Sequence, residues 1–294
     1  MRLISYRAAG GDGLGVVAGE AWLPAEALDP DAPRTMAGLL AAGAAGLDLL
    51  RAAEAGDRIR TEGRALAEIE LLAPVPRPGK VVAIGRNYRD HTTEEGVEPP
   101  TAPLIFSKWS SCVIGPEDEI RWDPVLTDQV DYEAELAVVI GRTARRVSPA
   151  DALDYVLGYT CLNDVSARDL QFGDGQWVRG KSLDTFCPMG PVLVTADEIP
   201  DPQGLAISCR VDGRILQEAS TADMYFGVAE IISFCSQAFR LDPGDVIATG
   251  TPGGVGIFRD PPILLGDGDE VVVEIERIGR LRNICRVERV AVAS

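Results

Sequence analysis

Short apolar runs rich in β-branched residues recur along this chain from residue 81 onward, each bounded by turn-forming residues. Such runs are typical of buried β-strands. They are VVAI from residue 81, LAVVI from 136, PVLV from 191, AISCRV from 206, DVIATG from 245 and EVVVEIE from 270. Two helices are expected among them, one beginning at Ser148 and Pro149 and one over residues 222–239. Because strands and helices do not alternate regularly, a doubly wound parallel sheet is disfavoured, and we predict a β-rich α+β domain with a mixed sheet.

The first 72 residues are predicted to form a separate, small α/β domain. Short strands are expected at residues 3–6 and 15–17, followed by an Ala/Leu-rich helix over residues 36–55. The segment LLAPVPRPGK, residues 71–80, contains three prolines and a glycine, which a helix or a central strand does not tolerate. We therefore place the boundary there, with a small N-terminal domain over residues 1–72 and a catalytic domain over residues 73–294.

The charge of the chain disfavours two classes of partner. With 45 acidic and 28 basic residues, the net charge is -17, and the resulting field repels nucleic acid and anionic membranes. No stretch approaches the roughly 20 apolar residues of a membrane span, and the N-terminus lacks the apolar core of a signal peptide. The six cysteines contain no C-x-x-C pair, which disfavours a disulfide framework. We expect a cytoplasmic protein with reduced thiols and no nucleic-acid or membrane partner.

Three acidic residues form a candidate metal site. Glu133 and Glu135 lie two positions apart on extended backbone, so their carboxylates point to the same face and repel each other unless a cation intervenes. Asp164 follows a second apolar run, VLGYTCLN. Three oxygen ligands in a chain with one histidine favour Mg²⁺ or Mn²⁺. The alternatives are that both glutamates line the solvated face of an edge strand and that Asp164 caps a helix.

Five segments in order resemble one family. They are IGRNYRDHTTEEG (84–96), DYEAELAVVIG (131–141), NDVSARDLQ (163–171), GKSLDTFCPMGP (180–191) and LDPGDVIATGTPGGVG (241–256). Over about residues 72–285 the chain resembles the fumarylacetoacetate hydrolase family, in its acylpyruvate hydrolase and 2-hydroxyhepta-2,4-diene-1,7-dioate isomerase-like branch. The resemblance implies a mixed β-sandwich or roll like the C-terminal domain of that family, a small N-terminal domain and a homodimer.

The resemblance also assigns chemistry to particular residues. Its D-Y-E-x-E motif and the later aspartate hold Mg²⁺ or Mn²⁺, which transfers to Glu133, Glu135 and Asp164. The single histidine, His91, and Glu94 match a dyad that activates water. A lone histidine in a polar stretch is otherwise most often a solvated surface group.

Three further expectations concern the dyad and its surroundings. Glu95 competes with Glu94 for the orienting role. The segment over residues 92–103 would serve as a mobile lid. Lys181, in the G-K-S-x-D segment, is expected near the substrate oxygens, and its alternative is an ordinary solvated lysine.

Four more residues are candidate substrate contacts. Arg168 and Gln171 match family positions that contact substrate, although either could instead cap a local turn. In the loop around Gly250 and Thr251, backbone amides and the threonine hydroxyl could bind a substrate carboxylate. The alternative for this segment is a tight loop between strands.

We expect a hydrolase that cleaves a carbon–carbon bond in a 2,4-dioxo acid of the acylpyruvate type, through an enolate that the metal stabilises. His91, oriented by Glu94, would activate water, and Lys181 or nearby amides would stabilise the oxyanion. Two alternatives use the same site and a 2-oxo acid: a 2-hydroxydienoate/2-oxoenoate isomerase and an oxaloacetate decarboxylase. A catalytically silent binding protein is a third class. The motifs do not specify the substrate tail.

Overall fold

The computed structural model of the protein describes residues 1–54 and 57–288. Its strands are β1 (Arg2–Ala8), β2 (Gly11–Ala18), β3 (Ala21–Pro24), β4 (Arg64–Ala65), β5 (Leu71–Leu72), β6 (Val81–Gly85), β7 (Leu104–Lys108), β8 (Val113–Ile114), β9 (Glu119–Trp122), β10 (Val130–Asp131), β11 (Ala134–Ile140), β12 (Val156–Asn163), β13 (Ser166–Ala167), β14 (Cys187–Thr195), β15 (Ala206–Val211), β16 (Arg214–Ser220), β17 (Val246–Ala248), β18 (Glu270–Ile275) and β19 (Gly279–Val287). Its helices are α1 (Ala25–Leu28), α2 (Met36–Ala42), α3 (Ala44–Glu54), α4 (Arg58–Glu62), α5 (Arg89–Glu95), α6 (Arg168–Gly173), α7 (Val178–Lys181) and α8 (Val228–Ala238).

The main sheet is mixed and open. Its strands follow the order β4-β3-β2-β1-β14-β12-β11-β17-β6-β7, with β5 paired to β1 and β8 paired to β14. The β17–β6 and β14–β8 pairs are parallel, whereas β11 pairs with both of its neighbours in antiparallel fashion. The predicted β-rich α+β class is confirmed.

A second sheet, of order β16-β15-β18-β19-β9, packs against β11, β12 and β14. Strand β11 is consequently buried on both faces. Val138 and Ile140 belong to the core between the sheets, and Ala137 and Val139 pack with Leu39 of α2 on the other side. This double burial explains why the run LAVVI is apolar throughout rather than alternating.

The N-terminal strands continue the main sheet. Strand β1 pairs in antiparallel fashion with β14, with Leu3 opposite Leu193, and β5 pairs with β1. Leu3 and Leu14 share a hydrophobic cluster with Val81 and Val139 of the predicted catalytic domain. The domain boundary near residue 72 stays a prediction, and the segment before it is joined to the rest by both sheet and core.

The predicted helices differ from the observed ones. The helix over residues 36–55 is broken at Gly43, whose φ of 59° ends α2, and Ala55 lies outside the described residues. No α-helix begins at Ser148. Turns in which each backbone N–H bonds the carbonyl three residues earlier lead into a 3-10 helix over Ala152–Tyr155, and β12 starts at the next residue. The helix predicted from residue 222 begins at Val228, because a 3-10 turn over Thr221–Asp223 precedes it.

Two global expectations can be compared with the structure. The six cysteines are free, as predicted, and all six are buried. Among the described residues, no single helix has the length and apolarity to cross a bilayer, and one bent pair, Met36–Ala42 with Ala44–Ala53, meets those criteria jointly across a 114° break.

Candidate metal centre and active site

Two adjacent central strands bring the three predicted metal ligands together. Glu133 directly precedes β11, Glu135 lies on it, and Asp164 directly follows its antiparallel neighbour β12. One carboxylate oxygen from each lies within 4.8 Å of the others, and the three residues are 4%, 1% and 0% exposed. The alternative of a solvated edge strand is wrong because β11 is internal to the sheet.

Two lysines neutralise part of this charge. The Lys181 Nζ atom lies 2.6 Å from Glu133 Oε2 and 2.9 Å from Asp164 Oδ2, so the alternative of a solvated lysine is wrong. The Lys108 Nζ atom lies 2.6 Å from Asp164 Oδ1 and also donates to the Lys181 carbonyl. Asp164 is therefore an ion-pair partner rather than a helix cap. Burial lowers the pKa of Lys108, but Asp164, together with Cys112 and Cys187, outweighs burial and raises it above its usual value.

Lys108 was missed by the sequence reasoning. It ends the run LIFSK, and nothing in that pattern distinguishes a buried lysine from one that reaches water at the strand end. The signal that could have found it is the requirement for cations near three clustered acids.

Arg168 binds the opposite side of the acidic cluster. Its Nη1 atom donates to Glu133 Oε1 at 2.6 Å and to Gln171 Oε1 at 2.9 Å, and its Nε donates to Asp131 Oδ2 at 2.9 Å. Both residues are buried, and Arg168 pairs with two acids outside its own turn, so it does more than cap that turn. In this structure Arg168 contacts a predicted metal ligand directly.

Glu133 and Glu135 differ in electrostatic environment. Burial raises the pKa of Glu133, but Lys181 and Arg168 outweigh burial and lower it to about 2. Burial raises the pKa of Glu135 well above its usual value, and the Asp164 and Glu133 carboxylates raise it further. No lysine or arginine of the described residues pairs with Glu135.

The donor set fits a divalent cation. Glu135 receives a hydrogen bond at 2.8 Å from the Gly250 backbone N–H, a neutral donor that leaves its charge uncompensated. The three predicted ligands offer hard carboxylate oxygens, the set that suits Mg²⁺ or Mn²⁺. A cation at this point would offset the repulsion among the three carboxylates.

Helix α5 brings the predicted dyad beside the cluster. His91 is 7% exposed, so the surface alternative is wrong. Its Nδ1 atom lies 3.4 Å from Glu94 Oε2. Glu95 instead forms an ion pair with Arg86. The geometry therefore favours Glu94 over Glu95 as the group that orients His91.

The glycine-rich loop binds carboxylates of the protein itself. The Gly250 N–H donates to Glu135, the Gly254 N–H lies 3.1 Å from both Glu94 oxygens, and the Gly256 N–H donates to Asp131 at 2.8 Å. The Thr251 hydroxyl accepts from Gln217 Nε2 at 2.8 Å. Three of the loop amides expected to bind substrate are thus already engaged, and they connect the predicted dyad to the predicted metal ligands.

One small cavity, partly open to solvent, joins the acidic cluster to the histidine. Its polar lining includes His91, Glu133, Glu135, Lys181 and Thr251. The remaining lining residues are Ile84, Gly85, Arg86, Glu95, Phe106, Arg168, Gln171, Phe172, Trp177 and Phe258. The arrangement can place a small acid between a cation site and a histidine.

Fold and site together define a class: a mixed β-sandwich whose cavity holds a buried carboxylate cluster suited to a divalent cation beside a histidine–glutamate pair. A family model described as "Fumarylacetoacetate (FAA) hydrolase C-terminal" matches residues 80–287. The chain belongs to the fumarylacetoacetate hydrolase family, as its motifs predicted.

Similar proteins extend this assignment. The chain is 45% identical over 291 residues to "Oxaloacetate tautomerase FAHD2A, mitochondrial" of Bos taurus. The matched region covers 96% of this chain and 91% of that protein. A fumarylacetoacetate hydrolase structure from Exiguobacterium antarcticum has a TM-score of 0.83 at 36% identity and covers 98% of this chain and 100% of its own. A 2-hydroxyhepta-2,4-diene-1,7-dioate isomerase structure from Mycobacterium marinum has a TM-score of 0.76 at 36% identity, with 98% and 99% covered.

These likenesses confirm the family and make the chain an enzyme of that superfamily. The carbon–carbon hydrolase expected first is not the activity that the Bos taurus relative is named for. The homodimer and the cytoplasmic location stay predictions.

Proposed function

We propose that this protein is a divalent-metal-dependent enzyme that interconverts the keto and enol forms of oxaloacetate. The observation that carries this proposal is the shared cavity, in which Glu133 and Glu135 lie with His91 and Lys181. The name of the Bos taurus relative supports the choice of reaction and substrate. The reaction is a proton transfer, for which these residue types are suited.

Glu133, Glu135 and Asp164 would hold the ion, Mg²⁺ or Mn²⁺, because their oxygens converge in a buried position. When bound, the ion would supply Lewis-acid polarisation of the 2-oxo group of the substrate. Its charge would also provide Glu135 with a direct ion-pair partner, which the described residues do not supply. The chemistry of the donor set thus fits a 2-oxo acid enzyme.

The chain's own residues would move the two protons. Conversion of keto to enol breaks the C3–H bond and forms an O–H bond at the 2-oxo oxygen. His91 takes the C3 proton at Nε2, and Glu94, 3.4 Å from Nδ1, stabilises the resulting imidazolium. Lys181 donates the proton to the 2-oxo oxygen, and exchange with solvent restores both residues. The reverse reaction uses the same groups in the opposite roles.

The test follows the decay of the enol's ultraviolet absorbance after oxaloacetate is added to the Mn²⁺-loaded protein. The wild type should accelerate relaxation to the equilibrium mixture. His91→Asn and Glu135→Gln should each lower the rate by about 100-fold or more, because they remove the base and a metal ligand. Arg142→Gln, a change beside Tyr155 and outside the cavity lining, is the control that should keep full activity. A wild type without acceleration would contradict the proposal.

Hydrolysis of an acylpyruvate is the second candidate, and the His91–Glu94 contact favours it because such a pair can also activate water. Pyruvate release from acetylpyruvate, without faster oxaloacetate enol decay, would support hydrolysis in place of tautomerisation. Decarboxylation of oxaloacetate requires neither an activated water nor removal of the C3 proton. His91→Ala should therefore abolish acylpyruvate cleavage while sparing much of any decarboxylation.

A further inference from the structure

One cationic side chain of the cavity has no role in the metal site or in proton transfer. Arg86 directly follows β6 and lines the same cavity as Glu133 and Glu135. Its side chain is 33% exposed, whereas the side chains of Arg168 and Lys181 are each 2% exposed. Of these three cations, Arg86 is the most exposed to a ligand that enters from solvent.

The hydrogen bonds of these three cations also single out Arg86. Arg168 and Lys181 are each bound to two carboxylates of the protein. Arg86 binds one, Glu95, through Nε at 2.9 Å and through Nη2. Within the described ranges its Nη1 atom has no hydrogen-bond acceptor. Because a guanidinium carries five N–H donors, Arg86 can bind a second carboxylate without releasing Glu95.

The setting of Arg86 fixes its guanidinium in the aromatic part of the cavity. The guanidinium carbon lies 5.6 Å from the centre of the Trp177 ring, which also packs edge-on against Phe106. A side chain at Gly85 would bring its Cβ within 2.4 Å of Trp177, so the indole packs directly on the backbone before Arg86. Stacking of this kind leaves the N–H donors of an arginine free for a planar anion.

The backbone at Arg86 is in the left-handed region, with a φ of 57°. An arginine pays a conformational cost there that glycine would avoid, and such outliers concentrate at ligand sites. The strained backbone and the free N–H donors together favour a ligand-binding role for Arg86 over a purely structural ion pair.

We propose that Arg86 is a specificity-determining residue that binds the second carboxylate of a dicarboxylic 2-oxo acid, sharing its guanidinium between that group and Glu95. The inference rests on the proposed function for the other end of the substrate, the 2-oxo acid group at the metal. In a chain of net charge -17, a dianion requires such local compensation. A monocarboxylic 2-oxo acid would bind the metal site and leave Arg86 with Glu95 alone.

The test measures the binding of two unreactive 2-hydroxy acids to the Mn²⁺-loaded protein by calorimetry. Malate carries two carboxylates and lactate carries one. The wild type should bind malate more tightly, and Arg86→Gln should weaken malate by about tenfold or more while leaving lactate unchanged, because one charge-assisted hydrogen-bonded pair is lost. Arg86→Lys keeps the positive charge but lacks the planar set of guanidinium donors, so it should weaken malate binding less than Arg86→Gln does. Arg142→Gln, another arginine stacked on an aromatic ring, should change neither affinity.

Three results would overturn the inference. The first is an equal loss of malate and lactate binding in Arg86→Gln, which would mean that Arg86 only supports Glu95. The second is that the wild type does not prefer malate to lactate. The third is that the wild type binds neither acid. Because the assay needs no turnover, its outcome is separate from that of the proposed function. Arg86-dependent malate binding without faster oxaloacetate tautomerisation would retain this inference and reject the proposed reaction.

Discussion

At the scale of single residues, the site depends on cations that are fully buried with their partners. Lys108 and Lys181 each hold one oxygen of the Asp164 carboxylate, and both ammonium groups are almost completely out of water. A buried ion pair adds little net stability over an apolar pair, but removing one partner leaves the other charge unpaired. The Lys108–Asp164 pair is therefore costly to break, and it lies directly behind a predicted metal ligand.

Lys108→Met should destabilise the metal-free protein by about 3–5 kcal/mol, because Asp164 would lose one of its two cationic partners in a buried position. Urea unfolding followed by circular dichroism measures this change. The control is Lys80→Met, which removes a partly exposed lysine 2.6 Å from the buried Asp245. Asp245 keeps hydrogen bonds from the Lys80 and Asp242 backbone N–H groups, so this change should cost about 1 kcal/mol or less. Equal effects of the two substitutions would show that the Asp164 carboxylate does not depend on Lys108.

At the scale of elements, helix α5 and the glycine-rich loop act on each other through one carboxylate. Glu94 of α5 receives the Gly254 N–H and also faces His91. Gly254 has a φ of 100°, and a Cβ there would lie 2.2 Å from the Leu216 carbonyl oxygen. Both the conformation and the space therefore require glycine at this position.

Gly254→Ala should displace the loop and release Glu94, which would loosen α5. Hydrogen exchange of the backbone amides of Arg89–Glu95 should become faster, and the rate of oxaloacetate enol decay should fall as His91 loses its orienting partner. The matched control is Gly19→Ala, where φ is 65° but no heavy atom lies within 4 Å of the added Cβ. That change should cost about 1–2 kcal/mol and leave α5 protected. Unchanged exchange in α5 of the Gly254 variant would contradict the coupling.

At the scale of the whole molecule, the segment before residue 73 is part of the structure that supports the site. Strand β1 lies beside β14, and β14 lies beside β12, which ends at the residue before Asp164. Met1 and Leu3 belong to the same core cluster as Ala137 of β11. The site strands therefore depend on the N-terminal segment for a sheet neighbour and for buried apolar surface.

A chain truncated to residues 73–294 should lose its cooperative thermal unfolding transition, because the edge of β14 and the apolar face beneath β11 would be exposed to water. Scanning calorimetry and near-ultraviolet circular dichroism measure this loss. Co-expression with a fragment of residues 1–72 should restore a folded complex. A truncated chain that unfolds cooperatively at the wild-type temperature would instead support an independent catalytic domain.

The same scales separate what could be predicted from what could not. The strand segments and the family motifs could be predicted from the sequence because they depend on local composition and fixed spacing. Helix limits failed at Gly43 and near Ser148, where a left-handed glycine and three-residue turns override helix-favouring composition. The burial of Lys108 could not be predicted, because burial at a strand end depends on packing against segments that are distant in the sequence.

The sequence by itself determined the family, the β-rich class and the candidate acids, since each depends on short segments with a characteristic composition or spacing. The tertiary structure decided how they are arranged. It joined Asp164 to Glu133 across two strands and assigned Glu94 to His91 and Glu95 to Arg86. It also directed the loop amides onto the protein's own carboxylates. The physical reason is that pairing and burial depend on contacts between distant segments, and desolvation then fixes which charges must meet.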